Sequence, residues 1–205
     1  MSFGLSNAPS SFQGLMNHIF QKHLRKFILV CFYDILIYIK NLADHLKHLK
    51  IAFDLLVQHQ LLAKRSKCVL ASRGVEFLGN YISPNGVSTD PMKIEVVQSW
   101  QEPKFISHLR GFLGLAGYYR KFIKGYGILS KPLTDLLKKD GFRWSEEAIS
   151  SFEQLKKILI TAPVLALPDF SSTFVVETDA CDVGIGAVLM QDRQLIAYLS
   201  MGLSR

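Results

Sequence analysis

The hydrophobic period of this chain changes twice, and that change limits the folds open to it. Up to residue 89, short apolar runs alternate with stretches of helical spacing. From Asp90 to about residue 160 the spacing is helical throughout, and from Phe174 it is strand-like again. A purely helical bundle and a pure β-sandwich are both excluded. The pattern predicts a mixed α/β (α+β) chain with a helical middle.

Hydrophobic residues make up 49% of the 205 and charged residues 20%, enough apolar material for a packed core. Disorder, coiled coil and collagen-like chains are thereby excluded. The formal net charge is +7, and its distribution is uneven. Between Lys104 and Lys139 there are eight basic residues against the single acid Asp135, which accounts for the whole excess. From Ser171 onward two arginines face Glu177, Asp179, Asp182 and Asp192. A basic middle suits a polyanion, and an acidic tail suits a metal. Cys31, Cys68 and Cys181 are widely spaced with no CxxC, which argues against a disulfide framework or a structural zinc site. Neither a signal peptide nor a membrane span is legible, since the longest apolar run, Phe27 to Ile39, carries Asp34. The expectation is an intracellular protein of nucleus or cytoplasm, with no membrane partner.

Phe12, Leu15, Met16, Ile19 and Phe20 follow helical spacing after Pro9, with Ser10 and Ser11 as caps. Phe27–Phe32 and Ile35–Ile39 predict two strands joined tightly at Tyr33-Asp34. Asn41 is placed to cap a helix whose apolar face is Leu42, Leu46, Leu49, Phe53 and Leu56. Strands are expected at Cys68–Ala71 and Val75–Ile82, then a turn at Pro84-Asn85-Gly86. Asp90-Pro91 opens a helix with the stripe Met92, Val96, Val97 and Trp100. Further helices are predicted over residues 107–122 and 133–137, and one from Ser145 with Ala148, Phe152, Leu155 and Leu159 inward. A short strand at Val164–Leu167 precedes a meander of Phe174–Asp179, Gly184–Met190 and Gln194–Leu199.

Asp34 stands at the tip of an otherwise apolar hairpin. Turn preference explains such an acid, and so does metal ligation. Asp179 ends an apolar strand, where the residues alone leave metal ligation open; Glu177 shares its face but is more simply explained by solvent. Asp182 would face the opposite way if the strand continued, so the two make a poor carboxylate pair. Gly111, Gly114 and Gly117 recur inside an apolar helix, each costing about 1 kcal/mol against alanine. Something must approach that backbone closely, either another helix or a sugar-phosphate chain. Tyr118, Tyr119, Arg120, Lys121 and Lys124 follow directly, and rings interleaved with cations suit nucleic acid. His45 and His48 lie three apart with no acidic or thiol partner and are expected at the surface.

With these motifs in order, the sequence resembles the reverse transcriptase–RNase H segment of gypsy-class LTR retrotransposon polyproteins along essentially its whole length. Phe3-Gly4-Leu5-Ser6-Asn7-Ala8-Pro9 with Phe12-Gln13 is similar to the substrate- and template-side motif. Phe32-Tyr33-Asp34-Ile35-Leu36-Ile37-Tyr38 is similar to the Asp-Asp hairpin, and Val75-Glu76-Phe77-Leu78-Gly79 to the primer grip. Leu109 to Arg120 resembles the thumb, Ala162-Pro163-Val164-Leu165 the connection, and Thr178-Asp179-Ala180 with Gly184–Leu189 the first RNase H strands.

The resemblance implies a palm segment over 1–89, a thumb over 90–143, a connection over 144–173 and the start of an RNase H fold over 174–205. It makes Asp34 and Asp179 remnant metal ligands for Mg²⁺. It makes Gln13, Phe77, Leu78, Gly79, Arg110, Gly114, Gly117, Tyr118, Tyr119, Arg120, Lys121 and Lys124 contacts to a template–primer, an RNA–DNA or DNA duplex. It implies RNA-directed DNA synthesis and hybrid RNA hydrolysis as the ancestral activities. The departures imply a truncated, degenerate product in which neither reaction runs. Tyr33 stands where the family has the first aspartate, and a phenol, neutral below about pH 10, is no substitute for a bridging carboxylate. The remaining alternatives are a binding module without catalysis and a piece of a larger active polyprotein. The apolar edge Phe27–Phe32 is expected to make the first 80 or so residues aggregation-prone when expressed alone.

Overall fold

The computed structural model describes residues 7–39, 41–138 and 141–203, so Phe3 to Ser6 of the first motif and Lys139 of the basic window lie outside them. The chain forms two compact units, residues 1–78 and 79–205.

In the first unit, α1 (Ala8–Phe20) leads into β1 (Ile28–Cys31) and β2 (Asp34–Ile37), an antiparallel hairpin in which Cys31 faces Asp34 and Ile28 faces Ile37. The helix α2 (Leu42–Gln58) follows, then β3 (Val75–Phe77). Ser10 and Ser11 lie within the first turn of α1 and do not cap it. Pro9 has its φ fixed for a helix start and no N–H to satisfy, so the helix begins one turn earlier than the serines suggest. Asn41 does cap α2, accepting from the Asp44 N–H at 2.8 Å. The face of α2 differs from the predicted stripe. Ala52 and Leu56 are buried with Met16, Ile19, Phe20, Phe27 and Ile28, whereas Leu42 and Leu46 stay 62% and 57% exposed. His48 is partly buried and not a surface residue: its ring stacks on Phe27 at 3.7 Å, on the side of the helix that carries Ala52 and Leu56 into the core. Cys68–Ala71 forms no strand. Val69 and Leu70 are exposed, and Ala71 takes a positive φ of 52°.

In the second unit, β4 (Asn80–Ser83) and β5 (Gly86–Thr89) form a hairpin around Pro84-Asn85. The predicted strand Val75–Ile82 is thus interrupted, because Leu78 and Gly79 both adopt left-handed φ, 49° and 62°. Asp90 caps α3 (Pro91–Ser99), accepting from the Met92 N–H. Within α3, Val97 is fully buried while Met92 is 71% exposed, so the stripe is only half right. α4 (Ile106–Tyr118) ends sooner than predicted and passes into a single 3-10 turn, Arg120–Phe122. Two short helices, α5 (Tyr126–Leu129) and α6 (Lys131–Asp135), precede α7 (Glu146–Ile160), which Ser145 caps.

The core lies among α3, α4 and α7, where Val97, Leu109, Phe112, Phe122, Phe152, Leu155 and Leu159 pack together. Phe112 and Phe152 have ring centres 4.6 Å apart. The predicted strand at 164–167 is a single bridge, Leu165 to Val87. The terminal meander is as predicted: β6 (Val175–Cys181), β7 (Gly184–Gln191) and β8 (Gln194–Gly202), in sheet order β6-β7-β8. Gln191 anchors the segment before it. Its buried amide accepts from Asp169 N at 2.8 Å and donates to Asp169 O and Ser172 O. No helix among the described residues is long and apolar enough to cross a membrane.

Candidate nucleic-acid interface

The helix α4 presents one face to the core and another to solvent. Leu109, Phe112, Leu113 and Ala116 point inward. Ser107, Arg110, Gly111, Gly114 and Tyr118 are exposed, at the three- and four-residue spacing of a single helix face. The three glycines differ in their surroundings. A Cβ on Gly111 would lie 3.6 Å from the Trp100 ring, and one on Gly117 would lie 3.2 Å from the Tyr126 hydroxyl. A Cβ on Gly114 would meet nothing within 4 Å. No helix of the described residues therefore crosses the backbone at Gly114, and the close-packing explanation fails at that position.

One cation lies on this face and three follow the helix. Arg110, Arg120 and Lys124 are exposed, and Lys121 is partly buried. Burial holds the Lys121 ammonium below the usual lysine range, and its Nζ lies 5.2 Å from the centre of the Phe122 ring. The adjacent tyrosines diverge. Tyr118 is 50% exposed and Tyr119 is fully buried, so the expectation that both rings face a duplex is corrected for Tyr119. The Tyr119 hydroxyl donates to Gly79 O at 2.6 Å, and a Cβ on Gly79 would lie 3.5 Å from the Tyr118 hydroxyl. Two consecutive residues at the end of a helix point in different directions, and only the residue four after Leu115 turns back into the core. Sequence spacing missed Tyr126 and Trp100 as the neighbours of Gly117 and Gly111; both are aromatic residues in apolar stretches, with no local signal for the contact.

The two acidic candidates are placed on strands and exposed. Asp34 is the first residue of β2, and the turn is Phe32-Tyr33 and not Tyr33-Asp34. Tyr33 is 72% exposed, with its ring stacked on Phe12 at 4.9 Å. Asp179 faces Gly186 across β6 and β7, and Asp182 lies in the following turn. Among the described residues, no group of three or more His, Cys, Asp or Glu side chains could hold a metal ion. The residues present thus do not fit a two-metal centre, which needs several carboxylates converging on ions about 3.5–4 Å apart.

Gln13 is occupied within its own unit. Its Oε1 accepts from Phe32 N at 2.5 Å, and its Nε2 donates to Asn17 Oδ1 at 2.8 Å and Val30 O at 3.3 Å. It lines a cleft of about 760 Å³ with Arg25, Cys31, Phe77 and Leu78.

A family described as "Reverse transcriptase (RNA-dependent DNA polymerase)" matches residues 1–82, and one described as "RNase H-like domain found in reverse transcriptase" matches residues 144–205. The retrovirus-related Pol polyprotein of transposon 297 from Drosophila melanogaster is 39% identical over 206 residues, covering 100% of this chain and 20% of that polyprotein. The chain therefore spans about a fifth of that relative's length. An uncharacterized mitochondrial protein of Arabidopsis thaliana is 47% identical over 132 residues, 63% of this chain and 84% of that protein. Among solved structures, the foamy viral protease–reverse transcriptase in complex with an RNA/DNA hybrid superposes with a TM-score of 0.90 at 23% identity, covering 100% of this chain and 28% of that one.

Proposed function

The chain belongs to the reverse transcriptase–RNase H family of transposon Pol polyproteins, and from that premise we propose that it grips a nucleic-acid duplex through the outer face of α4 without making or cutting one. The observation that carries this reading is Gly114. A glycine inside an exposed helix costs about 1 kcal/mol, and no neighbour among the described residues requires it. A sugar-phosphate backbone laid along α4 supplies the requirement, with Arg110, Arg120, Lys121 and Lys124 on phosphates and Tyr118 against a sugar or base. The likeness of Val75–Gly79 to the primer grip adds Phe77, Leu78 and Gly79 to the proposed duplex contacts. The duplex is RNA–DNA or DNA, and the foamy viral relatives were solved on both kinds. The ancestral division into palm, thumb, connection and RNase H start at 89/90, 143/144 and 173/174 belongs to the same reading, as does a nuclear or cytoplasmic location.

Substitutions at Gly114 test it with opposite signs for stability and binding. Gly114→Ala is expected to raise stability by about 1 kcal/mol, because alanine is the better helix former and space is open. Gly114→Leu is expected to leave the melt at or above that of the native chain and to weaken hybrid binding about tenfold or more in a fluorescence-anisotropy titration. Unchanged affinity in Gly114→Leu would remove the reason for the glycine and the reading with it.

Asp34 and Asp179 are remnants of the two ancestral Mg²⁺ sites. A primer-extension assay with Mg²⁺ on the purified chain is expected to show no product above background. Extension that disappears in Asp34→Asn would overturn this. A second reading, a piece of a larger active polyprotein, is favoured by the 20% coverage of the transposon 297 relative, and it would require carboxylates from outside this chain.

A further inference from the structure

The hairpin that carries Asp34 has an outer edge, and the edge is closed by a side chain. Tyr38 N donates to Phe27 O at 3.0 Å. In an antiparallel pair, bonded and non-bonded pairs alternate, so the bonded pairs of this hairpin are 27–38, 29–36 and 31–34. The backbone groups of Ile28, Val30 and Phe32 therefore face away from β2. Ile28 O accepts from Arg25 N at 2.9 Å, next to a parallel bridge between Leu24 and Ile28. Beyond that point no backbone group among the described residues pairs with this edge, and Gln13 takes over.

A residue on a parallel neighbouring strand would donate its N–H to one carbonyl and accept from the N–H two residues later. The Gln13 amide does both, donating to Val30 O at 3.3 Å and accepting from Phe32 N at 2.5 Å. Asn17 Oδ1, one helical turn along α1, accepts from Gln13 Nε2 at 2.8 Å and fixes which way round the amide sits. Phe32 is the residue in this hairpin that needs holding. Its φ is 50°, a conformation that favours glycine at the first turn position, and phenylalanine adopts it under strain.

We propose that Gln13 is the positioning residue of the Asp34 hairpin, its primary amide serving as a one-residue parallel strand that completes the β1 edge and pins the strained Phe32-Tyr33 turn. Gln13 does this whether or not a duplex is bound. The same contact shields the edge that the apolar run Phe27–Phe32 would otherwise offer to another chain.

Backbone amide exchange on the full chain, read residue by residue by NMR, tests the proposal. Gln13→Met keeps the length and removes the hydrogen bonds to Val30 O and Phe32 N along with that to Asn17, and it is expected to raise the exchange rate at Phe32 about tenfold or more, with the amides of Ala52, Leu56, Val97 and Leu155 unchanged. Gln13→Glu keeps the acceptor oxygen and is expected to retain more of the Phe32 protection than Gln13→Met, a rescue that a space-filling role would not produce. Should Gln13→Met fail to fold, Asn17→Ala, at an exposed helix position, removes the group that orients the amide and is expected to give a smaller rise confined to the same amide. Unchanged exchange at Phe32 in these variants overturns the proposal. So does a rise shared equally by α1 and α2, which would make Gln13 a packing residue only.

Discussion

Gly86→Ala is expected to lower the melting temperature of the 79–205 unit by roughly 10–15 °C, a cost of about 3–4 kcal/mol. Two effects add. The backbone at Gly86 has φ of 127°, which side-chain-bearing residues rarely adopt, and such strain costs on the order of 1–3 kcal/mol. A Cβ there would also lie 2.2 Å from Leu165 O and 3.1 Å from Leu165 C, so a backbone segment must move and not merely a side chain. That segment is bonded on both sides. Val87 N donates to Leu165 O and Leu165 N to Val87 O, both at 2.8 Å, and Ala166 N donates to Leu195 O on β8 at 2.6 Å. Leu165 itself is buried in the core of α4 and α7. Displacing it loosens the tie between the β4–β5 hairpin, the helical core and the terminal sheet together. Trp100 and Trp144 both lie in this unit, so near-UV circular dichroism follows its melting directly. A shift of only two or three degrees would mean that residues 164–166 move aside freely and that the bridge contributes little.

Gly86 also shows which parts of the fold could be read from the sequence. Caps are local, and three of them were legible: Asn41, Asp90 and Ser145 each accept the helical N–H expected of them, whereas Ser10 and Ser11 do not. The meander β6–β8 was legible for the same reason, since its apolar runs are long and its turns short. The short strand β5 was not, because Gly86-Val87-Ser88-Thr89 has little apolar character and owes its outer pairing to Leu165, far along the chain. The face of α2 was misread because His48, a polar residue by composition, stacks against Phe27 on the inward side while Leu42 and Leu46 stay exposed.

The candidate interface divides in the same way. The run of cations and the three glycines are visible in the sequence, and the structure places Arg110 and Gly114 on the exposed face of α4. The opposite fates of Tyr118 and Tyr119 are not visible, because they depend on where α4 ends and on the Gly79 carbonyl that receives the Tyr119 hydroxyl. Gln13 was legible as a member of a motif but not as a partner of Phe32, since a side-chain amide that imitates a strand leaves no periodicity to detect.

The largest expected effect on binding comes from removing Arg110, Arg120 and Lys124 together. None of the three forms an ion pair among the described residues, and all are exposed, so their charge is available to an outside anion. Alanine at all three is expected to weaken hybrid binding on the order of 100-fold at low salt and to reduce the slope of log K against log salt by about 3. The melt is expected to stay within about 0.5 kcal/mol of the native chain, as for other exposed substitutions. Lys47 and Lys50 provide the control. They are 73% and 76% exposed on α2, are paired with Asp44 and Asp54, and lie in the other unit. Their replacement by alanine is expected to leave affinity and slope nearly unchanged. If the control pair weakened binding as much per charge as Arg110, Arg120 and Lys124, attraction would follow net charge alone. The glycine face would then have no part in it.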